Sequence, residues 1–338
     1  MALRLMEIII PKENVAEAHQ LLEEAPIQGI WEESDAESKV LFKVLMPVEK
    51  TENVMDILEQ RFSHTEGFSL VLLPVEASLP RPEPAEEPAV EAKTPRKKSG
   101  LLPLRVSREE VYADVRESSE VNSTFIAMVI LSAIVAAIGL LQSNTAVIIG
   151  AMVIAPLLGP NVALALATTL GDYTLGKNAI KVNLTGFAIA LIFSVLLGSV
   201  MTVDPTTPEI LARTVVSQMD IILAIASGCA GALAFTTAAS GTLIGVMVAV
   251  ALLPPLVTFG ILLGAAQFEL AFSAFLLLMI NLICVNLAGV LTFLLQGIRP
   301  RQWWEAQKAR RLTRYAISIW TALLMLLAFI IYLSSQPR

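Results

Sequence analysis

Residues 149–160 read IGAMVIAPLLGP, and residues 244–255 read IGVMVAVALLPP. The offset is a constant 95 positions without a gap. Seven of the twelve pairs are identical: Ile149/Ile244, Gly150/Gly245, Met152/Met247, Val153/Val248, Leu157/Leu252, Leu158/Leu253 and Pro160/Pro255. Both copies lie in long apolar stretches, and both place proline where a membrane helix should continue. Proline removes a backbone donor and clashes with the carbonyl four residues back, so each copy is expected to break or kink its helix. Apolar stretches share residues by chance, but matches that include Gly, Met and Pro are harder to reach that way. The repeat reads as an internal duplication.

Working outward, the 338 residues are 55% hydrophobic and 16% charged, against roughly 25% charged in a soluble domain. Seven stretches are apolar over the roughly 20 residues that a spanning helix needs. They lie near 124–142, 145–170, 179–201, 219–238, 242–264, 270–296 and 314–333. Every second loop is basic. Arg105, Arg108 and Arg116 precede the first span, Lys177 and Lys181 follow the second, and Arg299, Arg301, Lys308, Arg310, Arg311 and Arg314 follow the sixth. The intervening loops hold one basic residue, Arg213. The positive-inside rule then predicts a multi-pass protein of the cell inner membrane with a cytoplasmic N-terminus. Trp303 and Trp304 read as interfacial anchors, and no secretory signal is visible because MALRLMEIIIPKENV turns polar within its first turns.

The similarity between the halves extends beyond the twelve residues. Ser132 matches Ser227 at the same offset, and Val182-Asn183-Leu184 resembles Ile280-Asn281-Leu282 at an offset of 98. The repeating unit is therefore read as three spans. Three is odd, so the second copy enters the bilayer from the opposite side. An inverted 3+3 repeat plus a seventh helix is the expected membrane architecture, and paired Gly/Pro-interrupted segments point to a transporter's binding site.

Residues 1–76 precede the membrane part. Strand-like runs at Arg4–Ile10, Ile27–Glu33, Lys39–Pro47 and Phe68–Val75 alternate with helical spacing at Val15, Ala18, Leu21, Leu22 and at Val54, Ile57, Leu58, Phe62. The order βαββαβ predicts a cytoplasmic, ferredoxin-like α+β domain. Residues 77–106 are rich in Pro and Glu and end in a Lys/Arg cluster, a composition expected to be extended. Ser107 then reads as the N-cap of a polar helix, with Glu110 completing a capping box. The membrane domain is taken as 107–298, and 299–338 as a basic, Trp-bearing helix followed by the seventh span.

The chemistry available within the spans is narrow. Asp172 and Asp220 lie at span edges, and no Lys, Arg, His or Glu lies at mid-depth. A buried chain of ionisable groups would signal proton coupling, and that pattern is missing. What remains is amides, hydroxyls and freed backbone groups, which broken helices tolerate where they line a cavity. Pro156, Gly159, Pro160, Asn161, Pro254 and Pro255 are the expected site-forming residues, with Asn183 and Asn281 facing them. Each of these asparagines has a plainer reading as an interhelical tie, at about 0.6 kcal/mol on average. Cys229 and Cys284 both fall in spans, which excludes a disulfide framework and a Cys-based zinc site. No metal or cofactor site is predicted. No GxSxG, Walker A or HExxH motif is present, so no enzymatic activity is expected. No basic stripe or interleaved aromatic patch points to nucleic acid.

The run STFIAMVILSAIVAAIGLLQSNTAVIIGAMVIAPLLGP at Ser123–Pro160 resembles the prokaryotic membrane proteins grouped as domain of unknown function 389. So do AIASGCAG at Ala224–Gly231, VALLPP at Val250–Pro255, and Gly260, Asn281 and Gly297. The resemblance covers roughly residues 107–298 and implies a multi-span membrane protein, some members carrying an N-terminal extension. It supplies no activity. The residues themselves point to an oligomeric transporter or channel that contacts membrane lipid and a small solute or ion. The alternative is a membrane-anchored sensor or scaffold whose N-terminal domain binds a ligand or partner.

Overall fold

The structure is a computed structural model that describes residues 3–23, 25, 27–34, 39–75, 106–237, 241–298, 313–315 and 317–327. Residues 77–105, Trp303, Trp304 and the C-terminal SSQPR lie outside that set. Contacts divide the chain into two compact units, Met1–Lys98 with Leu104–Glu110 and Ser99–Pro103 with Val111–Arg338.

The first unit runs β1 (Leu3–Pro11), α1 (Val15–Glu23), β2 (Gly29–Ser34), β3 (Lys39–Pro47), α2 (Val48–Phe62) and β4 (Ser69–Val75). The strands form one antiparallel sheet in the order β2-β3-β1-β4. Side chains alternate across a strand, and here the alternation is clean. Met6, Ile8 and Ile10 of β1 and Val40, Phe42, Val44 and Met46 of β3 point to one buried face, where Ala18 and Leu22 of α1 and Val54, Leu58 and Phe62 of α2 cover them. Ile57 departs from the sequence reading and is 40% exposed. The buried face of α2 is centred on Leu58, and each helical step turns the next residue by about 100°.

Ser107 accepts a hydrogen bond from the Glu110 backbone N–H at 3.2 Å. The expected capping box is only half formed, because the Glu110 carboxylate is engaged by Arg4. The Arg4 guanidinium grips both oxygens, at 2.6 and 3.2 Å, with its side chain 7% exposed. A two-point, charge-assisted bond outcompetes a single neutral backbone donor.

The second unit is helical. It contains the remainder of α3 (Arg108–Glu117), then α4 (Ser123–Leu141), α5 (Thr145–Ile154), α6 (Leu158–Leu170), α7 (Tyr173–Val200), the short α8 (Pro208–Leu211), α9 (Gln218–Thr236), α10 (Gly241–Gly264) and α11 (Phe268–Leu295). Polar caps set the helix starts. Asn122 accepts from Phe125 N, Asn144 from Val147 N, and Asp172 from Thr174 N and Leu175 N. Gly171, at φ +72°, ends α6 in the left-handed conformation that glycine adopts without a Cβ penalty.

Four helices are long and apolar enough to cross a membrane: α4, α7, Met219–Thr236 of α9, and α11. The pair α5 and α6, bent by 54°, makes a fifth if taken as one broken span. Two shorter apolar helical runs, Ala251–Gly264 and Thr313–Leu327, accompany them.

The two proline segments behave differently: of the two copies expected to break or kink, the first breaks its helix and the second lies within a continuous one. In the first copy Ala155 is extended, at φ −66° and ψ 119°. A residue preceding proline is driven out of the α region, and Pro156 follows. Pro160 then falls in the first turn of α6, where a missing N–H removes no intrahelical bond. In the second copy the position matching Pro156 is Ala251, so nothing stops the helix. α10 runs through Pro254 and Pro255 without interruption.

Candidate functional site

Each repeat carries an asparagine that partners its own proline segment. Pro255 lacks the N–H that would bond the carbonyl of Ala251, four residues back. Asn281 of α11 fills that role, its Nδ2 donating to Ala251 O at 2.7 Å. In the first repeat Asn161 follows Pro160, and its Nδ2 donates both to Leu157 O at 2.7 Å and to Asn183 Oδ1 of α7 at 2.9 Å. Asn183 and Asn281, the pair matched at offset 98, do different work: Asn281 donates to a backbone carbonyl, whereas Asn183 accepts from the side chain of Asn161.

The first set extends further. Asn286 of α11 donates through Nδ2 to Asn161 Oδ1 at 3.2 Å and to Leu282 O at 2.9 Å. Three buried amides therefore form a chain linking α7, α6 and α11, with Asn161 at its centre and 1% exposed. Both ends are open: Asn183 Nδ2 and Asn286 Oδ1 are buried and have no protein partner among the described residues. A partner that accepts at one end or donates at the other would complete the chain.

The repeats meet at a cavity of about 270 Å³. Met152 of the first copy faces it, as do Ala251 and Pro255 of the second, with Asn281 beside them. α5 and α10, which carry the two copies, pack against each other. Asn281 is 6% exposed, and its Oδ1 has no partner among the described residues. Because Nδ2 is held by Ala251 O, the orientation of this amide is fixed by the absence of an N–H on Pro255.

Charged residues that sequence reasoning left out of the site also line this cavity: Glu209, Arg213 and Asp220. Arg213 pairs with Glu209 at 2.7 Å, one helical turn apart. Glu209 also accepts from the Thr145 hydroxyl at 2.6 Å, tying the loop helix α8 to the start of α5. That hydroxyl bond, with help from Arg213, holds the Glu209 carboxyl below its usual range against the opposing effect of burial. Asp220 closes a capping box with Ser217 at the start of α9. The charges sum to −1, so the cavity is polar and mildly acidic at its rim, with amide and backbone groups behind.

The remaining expected residues lie away from these bonds. A Cβ on Gly159 would stand 2.4 Å from Ser118 O, so Gly159 lets α6 approach the turn after α3. Pro156 makes the break, and Pro254 is buried within α10. The structure brings Asn161 into contact with Asn183, and Asn281 next to Pro255. Asn286 was legible only as one polar residue among many, five positions after Asn281. The Glu209/Arg213 pair had a sharper signal, opposite charges at i and i+4 in a connection whose only basic residue is Arg213.

The profile of the domain of unknown function DUF389 matches residues 152–287. An uncharacterised protein of Methanocaldococcus jannaschii is 33% identical over 334 residues, covering 98% of this chain and 100% of that protein. The chain belongs to the DUF389 family. No solved structure matches it. The DUF389 stretch opens on Met152 and closes just after Asn286. It therefore contains the break, all three members of the amide chain, and every residue named above as lining the inter-repeat cavity.

Proposed function

We propose that this DUF389 protein is an inner-membrane transporter or channel for a small solute or ion, and that its solute contacts the cavity between the two repeat copies. One observation carries the reading. A duplicated sequence motif folds so that both copies wall the same polar cavity, and a buried asparagine there has its carbonyl oxygen without a partner among the described residues. A plain anchor needs neither the duplication nor the cavity. Binding between related halves on interrupted helices is the arrangement of many secondary transporters. The full arrangement we infer is seven spans, as an inverted 3+3 repeat with one added helix. The N-terminus is cytoplasmic, and the N-terminal domain regulates or assembles a homo-oligomer. The protein moves its ligand rather than transforming it.

The test is flux in proteoliposomes across a panel of monovalent and divalent cations, small anions and neutral solutes. Asn281→Leu is expected to lower flux of the responsive solute about ten-fold, the scale of one strong polar contact at about 1.4 kcal/mol. Pro255→Ala returns the N–H to α10, releases the Asn281 amide, and is expected to lower flux as well while leaving the fold intact. No flux across the panel, or variants that match wild type in every active assay, would overturn the proposal.

A further inference from the structure

A second cavity lies between α3 and the first turns of α7, with a volume of about 500 Å³. Its cationic walls are Arg116 and Lys181, and Glu120, Tyr112, Thr174 and Asn178 complete the polar lining. Neither Arg116 nor Lys181 has an ion-pair partner among the described residues. The walls are held in place by two side-chain ties. Tyr112 donates to Asp172 Oδ2 at 2.8 Å, and Asn178 Nδ2 donates to Ser119 O at 2.8 Å. Burial, followed by the bond to Asp172, pushes the Tyr112 phenol above its usual range, so it stays a neutral donor fixed on Asp172. A preformed pocket with a net charge of +1 and two free cations is built for an anion.

The surroundings decide which kind. Starting three residues after Lys181, an uninterrupted exposed apolar i, i+4 row winds along α7: Leu184, Ala188, Ile192, Leu196 and Val200. Leu184 is 63% exposed and Val200 85%. At 1.5 Å per residue, the sixteen positions from Leu184 to Val200 extend about 24 Å, long enough for an acyl chain. Val121 and Leu175 give the pocket an apolar edge on its own rim.

We propose that this cavity is the headgroup site of an anionic phospholipid, with the phosphate between Arg116 and Lys181 and the acyl chains along the α7 stripe. Arg116 supplies the planar fork that suits phosphate, and Lys181 a point charge. The site is independent of what the inter-repeat cavity carries. A free phosphate compound shares the headgroup chemistry but cannot use the stripe.

The experiment uses the full chain, purified from mixed detergent with equal dioleoyl phosphatidylglycerol and dioleoyl phosphatidylcholine, with retained lipid counted by native mass spectrometry. Wild type is expected to retain phosphatidylglycerol in preference. Arg116→Ala with Lys181→Ala is expected to reduce that preference about twenty-five-fold, given about five-fold per basic residue near an anionic headgroup. Arg116→Lys with Lys181→Arg keeps both charges and is expected to keep most of the preference, which separates site loss from misfolding. Excess glycerol 1-phosphate is expected to leave the bound lipid in place. Displacement by glycerol 1-phosphate would overturn the lipid assignment in favour of a soluble phosphate compound. Equal retention of both lipids by wild type, or an unchanged preference in the alanine pair, would overturn the site altogether.

Discussion

Asn161→Leu is expected to destabilise the second unit by about 2–5 kcal/mol, although leucine matches the side chain in size and belongs to the membrane's own chemistry. The amide it replaces serves three partners: Leu157 O, Asn183 Oδ1 and the Nδ2 of Asn286. Asn286 keeps its bond to Leu282 O, but one of its hydrogens is stranded beside a methyl group. Leaving a buried donor or acceptor unpaired costs about 1–3 kcal/mol in water-soluble proteins, whereas interhelical bonds in membranes average only about 0.6 kcal/mol. Leu157 O keeps its backbone donor in α6, so two stranded side-chain groups, Asn183 Oδ1 and one Asn286 N–H, at about 1–2.5 kcal/mol each set the range. Asn183→Leu removes a single acceptor from Asn161 and is expected to cost about 1 kcal/mol. The ordering is the sharper claim. Equilibrium unfolding in mixed micelles checks it, and an Asn161→Leu protein within 1 kcal/mol of wild type would show that the amides are independent ties.

Much of this architecture could be read from the residues, and the failures have identifiable physics. Strand alternation was legible because Met6, Ile8 and Ile10 face a core while their neighbours do not. Ile57 misled because an apolar residue at a plausible spacing can still fall off the buried arc when that arc centres on Leu58. The repeat was legible as sequence, yet its two halves do not share one backbone. A single unmatched position decides this, since Pro156 forces Ala155 out of the helix and Ala251 forces nothing. Sequence spacing also located Asn183 and Asn281, but it could not show that Asn281 bonds the carbonyl freed by Pro255 while Asn183 bonds only Asn161, because those contacts join residues 30 and 22 positions apart. The cavity's charged rim was missed for a related reason. Glu209 and Arg213 sit in a loop, and only the fold brings that loop over Pro255.

Glycine substitutions at the crossing of α7 and α10 are expected to match the amide chain in severity. A Cβ on Gly198 would stand 2.2 Å from Ile261 O, and one on Gly264 2.2 Å from Val195 O. Both obstacles are backbone, so no rotamer change relieves them and the helices must separate. Gly198→Ala and Gly264→Ala are each expected to cost about 3 kcal/mol, the upper end of overpacking penalties. Gly150, the glycine shared by the two repeat copies, is the informative contrast. It is exposed, and an added Cβ meets nothing within 4 Å among the described residues. On helix propensity alone Gly150→Ala should stabilise α5 by up to about 1 kcal/mol. The packing account therefore predicts opposite signs for glycines that look alike in sequence, and thermal unfolding of the three variants tests it directly. If Gly150→Ala is stable yet lowers flux in proteoliposomes, the glycine retained in both copies acts through the movement or contact of α5 during transport, because close packing would have registered first as lost stability.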